Sequence, residues 1–274
     1  MKVNIFLKKL KSVFKTPIEY YLTHKSGEIL LNAWLGKSIS FEHSGLICCI
    51  QCRRKINKSF QQGFCFPCFR RLQECNLCII RPERCLVEKG GCLIDDWAHA
   101  QCHQSHIVYL ANSSGLKVGI TQETQVPTRW IDQGAIQGIP IFRTKNRYQA
   151  GMVEVILKSF ITDRTDWRLM LKNNIEEMDL ISARDALLKE ANSFLFKLID
   201  QFKEKNICKL KTLLVTRLNY PVLKYPDKTK VLSFEKAPVI KGSLLGIKGQ
   251  YLILDTGVIN IRKYGGYNVE CMVL

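Results

Sequence analysis

No uncharged apolar run in these 274 residues approaches the length of about 20 that a bilayer-spanning helix needs, so no transmembrane segment is expected. A secretory leader is not expected either. Residues 1–15 set Ile5, Phe6, Leu7, Leu10, Val13 and Phe14 among five lysines, and lysines inside the apolar segment break a signal-peptide core. That stretch reads as a short helix packed on the protein or a frayed extension, with an amphipathic basic helix on a membrane or on RNA as the alternative. Solenoid-type repeats and low-complexity tracts are lacking as well, which excludes a stacked-repeat architecture. Negative charge is scarce. Asp and Glu number 24 against 41 Lys and Arg, for a formal net charge of +17. The balance favours an anionic partner, nucleic acid first and an acidic membrane surface second. A merely basic soluble protein is the alternative, since net charge speaks to association and not to fold.

What the chain has in excess is cysteine. Twelve cysteines spread through a secreted chain would suggest a disulfide scaffold, but here nine fall between Cys49 and Cys102, many in two-residue-spaced pairs. Cys49-x2-Cys52-x12-Cys65-x2-Cys68 is the spacing of a tetrahedral four-cysteine zinc site. Each pair makes a tight knuckle that aims both sulfurs at one point, and the intervening residues bring the second knuckle back. Four thiolates close the coordination shell, so this zinc is structural rather than catalytic. A redox dithiol is the rival reading, but it wants a strand-to-helix context. Metal-bound thiolates imply a reducing, cytoplasmic setting.

Nine thiolates exceed the needs of one metal, so a second zinc is expected nearby. Cys75 and Cys78 are its first pair, and Cys85, Cys92, His99, Cys102, His103 and His106 compete for the remaining positions. The expected set is Cys75, Cys78, Cys92 and Cys102, with Cys85 as the spare. His106 heads an apolar strand and reads as a hydrogen-bonded core histidine. Cys208 and Cys271 sit in apolar contexts and read as inert. Between Cys48 and Gln73 stand Arg53, Arg54, Lys55, Lys58, Arg70 and Arg71 with no acidic residue. They form a positive patch suited to phosphate or nucleic acid. The interleaved Phe60, Phe64, Phe66 and Phe69 serve either as the module's small core or as a platform for bases.

The rest of the chain reads as α+β. Residues 29–50 suggest short strands and turns leading into the first knuckle. Residues 106–110 and 116–121 are β-prone and flank the turn Ser113-Ser114-Gly115, which together make a hairpin. Pro127 suits the first turn of a short helix carrying Arg129 and Trp130, which Gly134 can end. Residues 139–143 form a third strand, and 148–161 and 178–205 read as helices. Beyond Cys208, runs at 243–247, 250–254, 258–261 and 268–273 are separated by glycine-containing turns and indicate a small antiparallel sheet or barrel. The length favours two or three modules. The expected order is an N-terminal extension with short strands (1–47), a cysteine-rich zinc-binding module (48–105), a central α/β unit with its following helix (106–206) and a C-terminal β unit (207–274).

His106-Ile107-Val108-Tyr109-Leu110, followed by Gly115-Leu116-Lys117-Val118-Gly119-Ile120-Thr121, resembles the hairpin that names the GIY-YIG nuclease superfamily. It is similar to the divergent branch of viral and bacterial members that read KIGIT in the second strand. The resemblance continues in the family's order to Arg129 on the next helix and Glu154 on the helix after the third strand, and covers roughly residues 107–174. It implies a GIY-YIG-like α/β unit with a small mixed or antiparallel sheet and metal-dependent phosphodiester hydrolysis. In that chemistry Glu154 holds a divalent cation, with magnesium suited to the oxygen donors. Tyr109 serves as general base or orienting group, and Arg129 offsets charge developing on the phosphate. Lys117 stands where the typical family has a second tyrosine; it can contact phosphate but does not do a phenol's hydrogen bonding. Asn173 or Asn174 matches the family's late Asn loosely. The whole chain also resembles an uncharacterised bacterial family described only as a domain of unknown function, which implies architecture and no activity.

The residues themselves add to this. At helical spacing the neighbours of Glu154 are Ala150, Gly151, Leu157 and Ile161, so the carboxylate lies on or beside an apolar face and needs a partner. A metal ion and a structural ion pair with Arg129 or another arginine both satisfy it. Tyr109 is either a strand aromatic or a base, and Gly119 permits a close approach or marks a bulge. Arg143, Lys145 and Arg147 either track a phosphate backbone or decorate an exposed loop. The chain therefore reads as a cytoplasmic zinc protein that binds nucleic acid and cleaves phosphodiesters at Tyr109, Arg129 and Glu154. The alternative is a non-catalytic nucleic-acid or ribonucleoprotein-binding module of the same fold, and a thiol redox or metal-handling protein is a third. No motif specifies DNA over RNA or an oligomeric state.

Overall fold

The computed structural model describes residues 2–90, 96–161, 166–203 and 205–274. Its central strand, His106–Asn112, is buried along its whole length. Ile107, Tyr109 and Ala111 belong to one core, whereas Val108 and Leu110 belong to another. Alternate side chains point to opposite faces of a strand, so a strand apolar on both faces must be covered on both. On one face lie Arg147–Lys158, Leu180–Glu190 and Asn192–Phe202, which bring Val153, Leu157, Leu187 and Leu195. The other face meets the larger sheet, through Trp130, Ile131 and the Tyr20–Tyr264 core.

The central sheet has the order Ile207–Lys209, Gln137–Thr144, His106–Asn112, Leu116–Gln122, and Thr216–Arg217 also pairs with Gln137–Thr144. The ladder between His106–Asn112 and Gln137–Thr144 shifts register beside Pro140, where proline has no N–H to donate. The expected helix over 178–205 is two helices, Leu180–Glu190 and Asn192–Phe202, which meet at Ala191. Asp179 caps the first by accepting from the N–H groups of Ile181 and Ser182.

The larger sheet has seven strands and joins the two ends of the chain. Its order is Lys2–Phe6, Tyr267–Val273, Ser38–Cys48, Val239–Lys248, Tyr251–Leu254, Gly257–Asn260, with Lys55–Ile56 beside Ser38–Cys48. Strands from the stretches 1–47 and 207–274 are thus neighbours in one sheet. Residues 2–13 correct the helical or frayed expectation, since they form the strands Lys2–Phe6 and Lys11–Val13. The physical reason is a period of two: Ile5 and Leu7 are buried and Val3 half-buried, while Lys2 and Asn4 between them on the other face are exposed, and the strand Tyr267–Val273 offers a ladder with Ile5 opposite Val269. A third sheet, Lys11–Val13, Glu19–His24, Gly27–Leu30, completes the β structure. The chain is therefore α+β, with several antiparallel sheets and a cysteine cluster, and no barrel closes among the described residues.

Candidate active site and metal centre

The metal centre begins where Ser38–Cys48 ends. The Cys49 N–H donates to the Arg54 carbonyl at 2.9 Å and the Arg53 N–H returns to the Cys49 carbonyl at 3.0 Å, with Arg53 in the left-handed region at φ 61°. The second knuckle runs into the helix Phe66–Arg71, whose N-cap is Cys65; its sulfur accepts from the Cys68 N–H at 3.5 Å. The sulfurs of Cys49, Cys52, Cys65 and Cys68 all lie within 4.8 Å of one another. Those of Cys52 and Cys65 are 3.7 Å apart, against about 3.8 Å expected between thiolates at tetrahedral corners around zinc. Burial raises the Cys49 thiol, but the N–H groups of Cys52, Cys65 and Gln51 outweigh it and lower the thiol to about 6. Cys68 is pushed up to about 12, chiefly by its hydrogen bond with Cys65. Four sulfurs this close repel one another as thiolates, and a divalent cation at their centre relieves the repulsion. The cluster can hold a zinc ion. Phe64 is buried with Cys49 and Cys65, and Phe69 packs against them, so these two rings belong to the module's small core; Phe66, 5.4 Å from Phe60 between ring centroids, is exposed.

The second cysteine group departs from its expected make-up. Cys75 packs beside Cys49, Phe64 and Cys65, whereas Cys78 packs with Cys85 and Cys102. Cys92 lies outside the described residues. His106 is buried with Nδ1 at 2.7 Å from the Gln104 carbonyl, and burial, with the charge of Arg147, brings it down to about 4.

The hairpin forms the floor of an open cleft of about 570 Å³. Tyr109 faces Gly119 across an unbroken ladder, and a Cβ on residue 119 would stand 2.5 Å from the phenol oxygen. The glycine therefore serves a close approach and marks no bulge. The phenol donates to Gln133 Oε1 at 2.9 Å and its ring meets Trp130 edge-on at 5.7 Å. Burial pushes Tyr109 up to about 12, with the charge of Glu154 acting in the same direction and Arg129 and Gln133 opposing it. It is a neutral phenol at physiological pH. Arg129, on the short helix Thr128–Asp132, and Lys117, on Leu116–Gln122, line the same cleft. So does Glu154, which is 8% exposed and pairs with Lys158 at 3.0 Å.

Several lining residues carried no sequence signal. Lys9 and Arg262 reach the cleft from opposite ends of the chain. Lys9 pairs with Asp132 at 3.0 Å, and Asp132 also accepts from Gln250 at 2.9 Å. Arg262 donates to Gln62 at 2.7 Å, and burial, then the charge of Arg129, pulls it below its ordinary value. Lys158, four residues after Glu154, was legible as a helix pair. The cleft gathers the cations Lys9, Lys117, Arg129, Arg147, Lys158 and Arg262 against the carboxylates Asp132 and Glu154. Other expected residues lie elsewhere. Arg53 lines a second cavity of about 790 Å³ with Lys8 and Lys25, and Arg54, Lys55, Arg70 and Arg71 are exposed on the knuckle surface outside the cleft. Of the run Arg143, Lys145 and Arg147 only Arg147 lines the cleft, while Arg143 pairs with Glu123. Asn173 accepts from Lys248 and lines no part of the cleft.

Fold and site define an α+β protein with a four-cysteine cluster able to hold zinc and, beside it, a basic cleft over a buried tyrosine. No helix among the described residues is long and apolar enough to cross a membrane. The chain belongs to the family described as Protein of unknown function (DUF2797), whose model matches residues 36–269. No curated protein and no solved structure matches it.

Proposed function

We propose that the protein is a cytoplasmic, zinc-containing nucleic-acid-binding protein whose cleft hydrolyses phosphodiester bonds with a divalent cation, in the manner of the GIY-YIG nucleases its hairpin resembles. The observation that carries this reading is that Tyr109, Arg129 and Glu154, borne by three different elements, line one basic cleft. Glu154 is the cation ligand, and magnesium suits its oxygen donors. Such an ion, when bound, polarises the phosphate and lowers the pKa of a bound water. Tyr109, neutral with its pKa near 12, orients the attacking water rather than taking its proton. Arg129, with Arg262 behind it, offsets the charge that gathers on the phosphate oxygens. Lys117 contacts a phosphate oxygen. Zinc at Cys49, Cys52, Cys65 and Cys68 is structural, replacing a core that a short, phenylalanine-lined segment cannot build alone.

Purified full-length protein incubated with labelled DNA and RNA, single- and double-stranded, and magnesium is expected to cleave at least one substrate. Glu154→Gln, which keeps the shape and removes the charge, should slow cleavage by about 100-fold or more. Equal rates for both proteins would point to a contaminant and end this reading. The 3.0 Å pair between Glu154 and Lys158 favours a second reading, a non-catalytic nucleic-acid or ribonucleoprotein-binding module with the same fold. In that case no substrate is cut, and Glu154→Gln binds nucleic acid as the wild type does.

A further inference from the structure

Three cysteines outside the four-sulfur cluster meet although they come from separate turns. Cys78 sits in the turn Leu77–Ile79, Cys85 follows the turn Pro82–Arg84 and Cys102 closes the helix Asp96–Cys102. Cys85 and Cys102 are buried, and Cys78 packs against them together with Val87 and Ala98. Cys85 shares one buried cluster with Cys102, and Cys78 packs against that cluster. Cys85 is the residue that spacing alone leaves as the spare, while Cys75, the apparent partner of Cys78, packs into the first cluster.

The energetics of the segment call for a cross-link. Among the described residues its buried core is Cys85, Val87, Ala98 and Cys102, with Cys78, Trp97 and Tyr148 packed against it. Burying a large apolar side chain contributes about 1.5–3 kcal/mol, whereas fixing one residue's backbone costs about 1–2 kcal/mol. So small a core cannot hold a stretch of short turns. The turns are nevertheless docked. Arg147 donates to the Ile79 carbonyl at 2.9 Å, and Asn146 and Gln149 donate to one Glu88 oxygen at 2.6 and 2.9 Å. All three anchors belong to the start of the helix that carries Glu154, and Ile79, Ile80 and Pro82 line the cleft.

We propose that Cys78, Cys85 and Cys102 bind a second zinc ion, with one further donor, and that this ion fixes the turn of residues 79–82 as a wall of the cleft. Three thiols lose their protons as the ion binds, with no change of oxidation state. Three thiolates on one dication leave a charge of −1, which the neighbouring Arg147 guanidinium offsets.

Metal content of the full-length protein, measured by native mass spectrometry after dialysis against a weak chelator, is expected to be two zinc ions per chain. Cys85→Ser should retain one and Cys75→Ser two. One ion in the wild type overturns the proposal, as does loss of an ion from Cys75→Ser while Cys85→Ser keeps both. Should Cys85→Ser fail to fold, two further measurements decide. Cys85→His, which still offers a ligand, is expected to keep two ions. Cobalt titration of the metal-stripped wild type should build the thiolate-to-cobalt absorption in two steps, and a single step overturns the proposal. The ion count is independent of phosphodiester cleavage, so an inactive protein with two zinc ions leaves this inference standing.

Discussion

The phenol of Tyr109 and the ammonium of Lys248 are both buried, and burial moves both toward neutrality from opposite sides: Tyr109 rises to about 12 and Lys248 falls to about 7. Lys248 donates to the amide oxygen of Asn173 at 2.8 Å and lies 5.3 and 5.4 Å from the ring centroids of Tyr220 and Tyr225. An amide and two ring faces stand where a carboxylate would usually be. Because its folded pKa lies below its ordinary 10.5, the unfolded chain holds a proton that the folded chain lacks between those values. Stability therefore rises with pH across that window, and the gain is lost as pH falls toward 7. In urea denaturation at constant salt, the unfolding free energy of wild type minus that of Lys248→Met should climb by up to about 1.4 kcal/mol per pH unit between about pH 7.5 and 9.5. A flat difference would mean that the ammonium keeps its proton in the fold. Lysine followed by glycine in a turn-like position gave no hint of this burial, because the residues that enclose Lys248 are distant in sequence.

Among the elements, the helix Arg147–Lys158 connects the cysteine-rich turns to the cleft, and Gly151 lets it approach them. A Cβ there would stand 2.5 Å from the backbone of both Pro82 and Glu83. In an open helix Gly→Ala stabilises by about 1 kcal/mol; here the methyl must push backbone aside, and Gly151→Ala should instead destabilise by about 1–3 kcal/mol. Thermal or urea unfolding reads the sign directly, and a gain in stability would show that the turn yields. Hairpin, helices and terminal strands were legible in the sequence because local periodicity and glycine turns carry them, and the first cysteine cluster because its spacing does. The strand Lys2–Phe6 was not. Its pattern is too short to separate a period of two from a helix, and the strand that recruits it, Tyr267–Val273, lies at the other end of the chain. The grouping of Cys85 was not legible for a related reason: sequence spacing pairs Cys78 with Cys75, whereas the turn at Pro82–Arg84 leads Cys85 into one packed cluster with Cys78 and Cys102.

At the scale of the whole molecule, the cleft exists because both ends of the chain enter one sheet and deliver Lys9 and Arg262 to the hairpin that carries Tyr109. For the nucleic-acid partner proposed above, this separates two basic surfaces that net charge alone merges: the cleft, and the exposed knuckle surface bearing Arg54 and Arg70. Each phosphate neutralised releases counterions, so log K falls with log salt by about 0.7 per contact for a single strand and about 0.9 for a duplex. Binding of a labelled oligonucleotide, followed by anisotropy from about 50 to 300 mM salt, should lose about one contact's worth of slope in Arg262→Ala. Lys9→Ala should lose less, since its ammonium already answers Asp132 at 3.0 Å and only its surplus field reaches the cleft. Arg54→Ala, outside the cleft, should leave the slope within error of wild type. If Arg54→Ala takes the larger share, the anion lies on the zinc module's surface and the cleft is reached by something else.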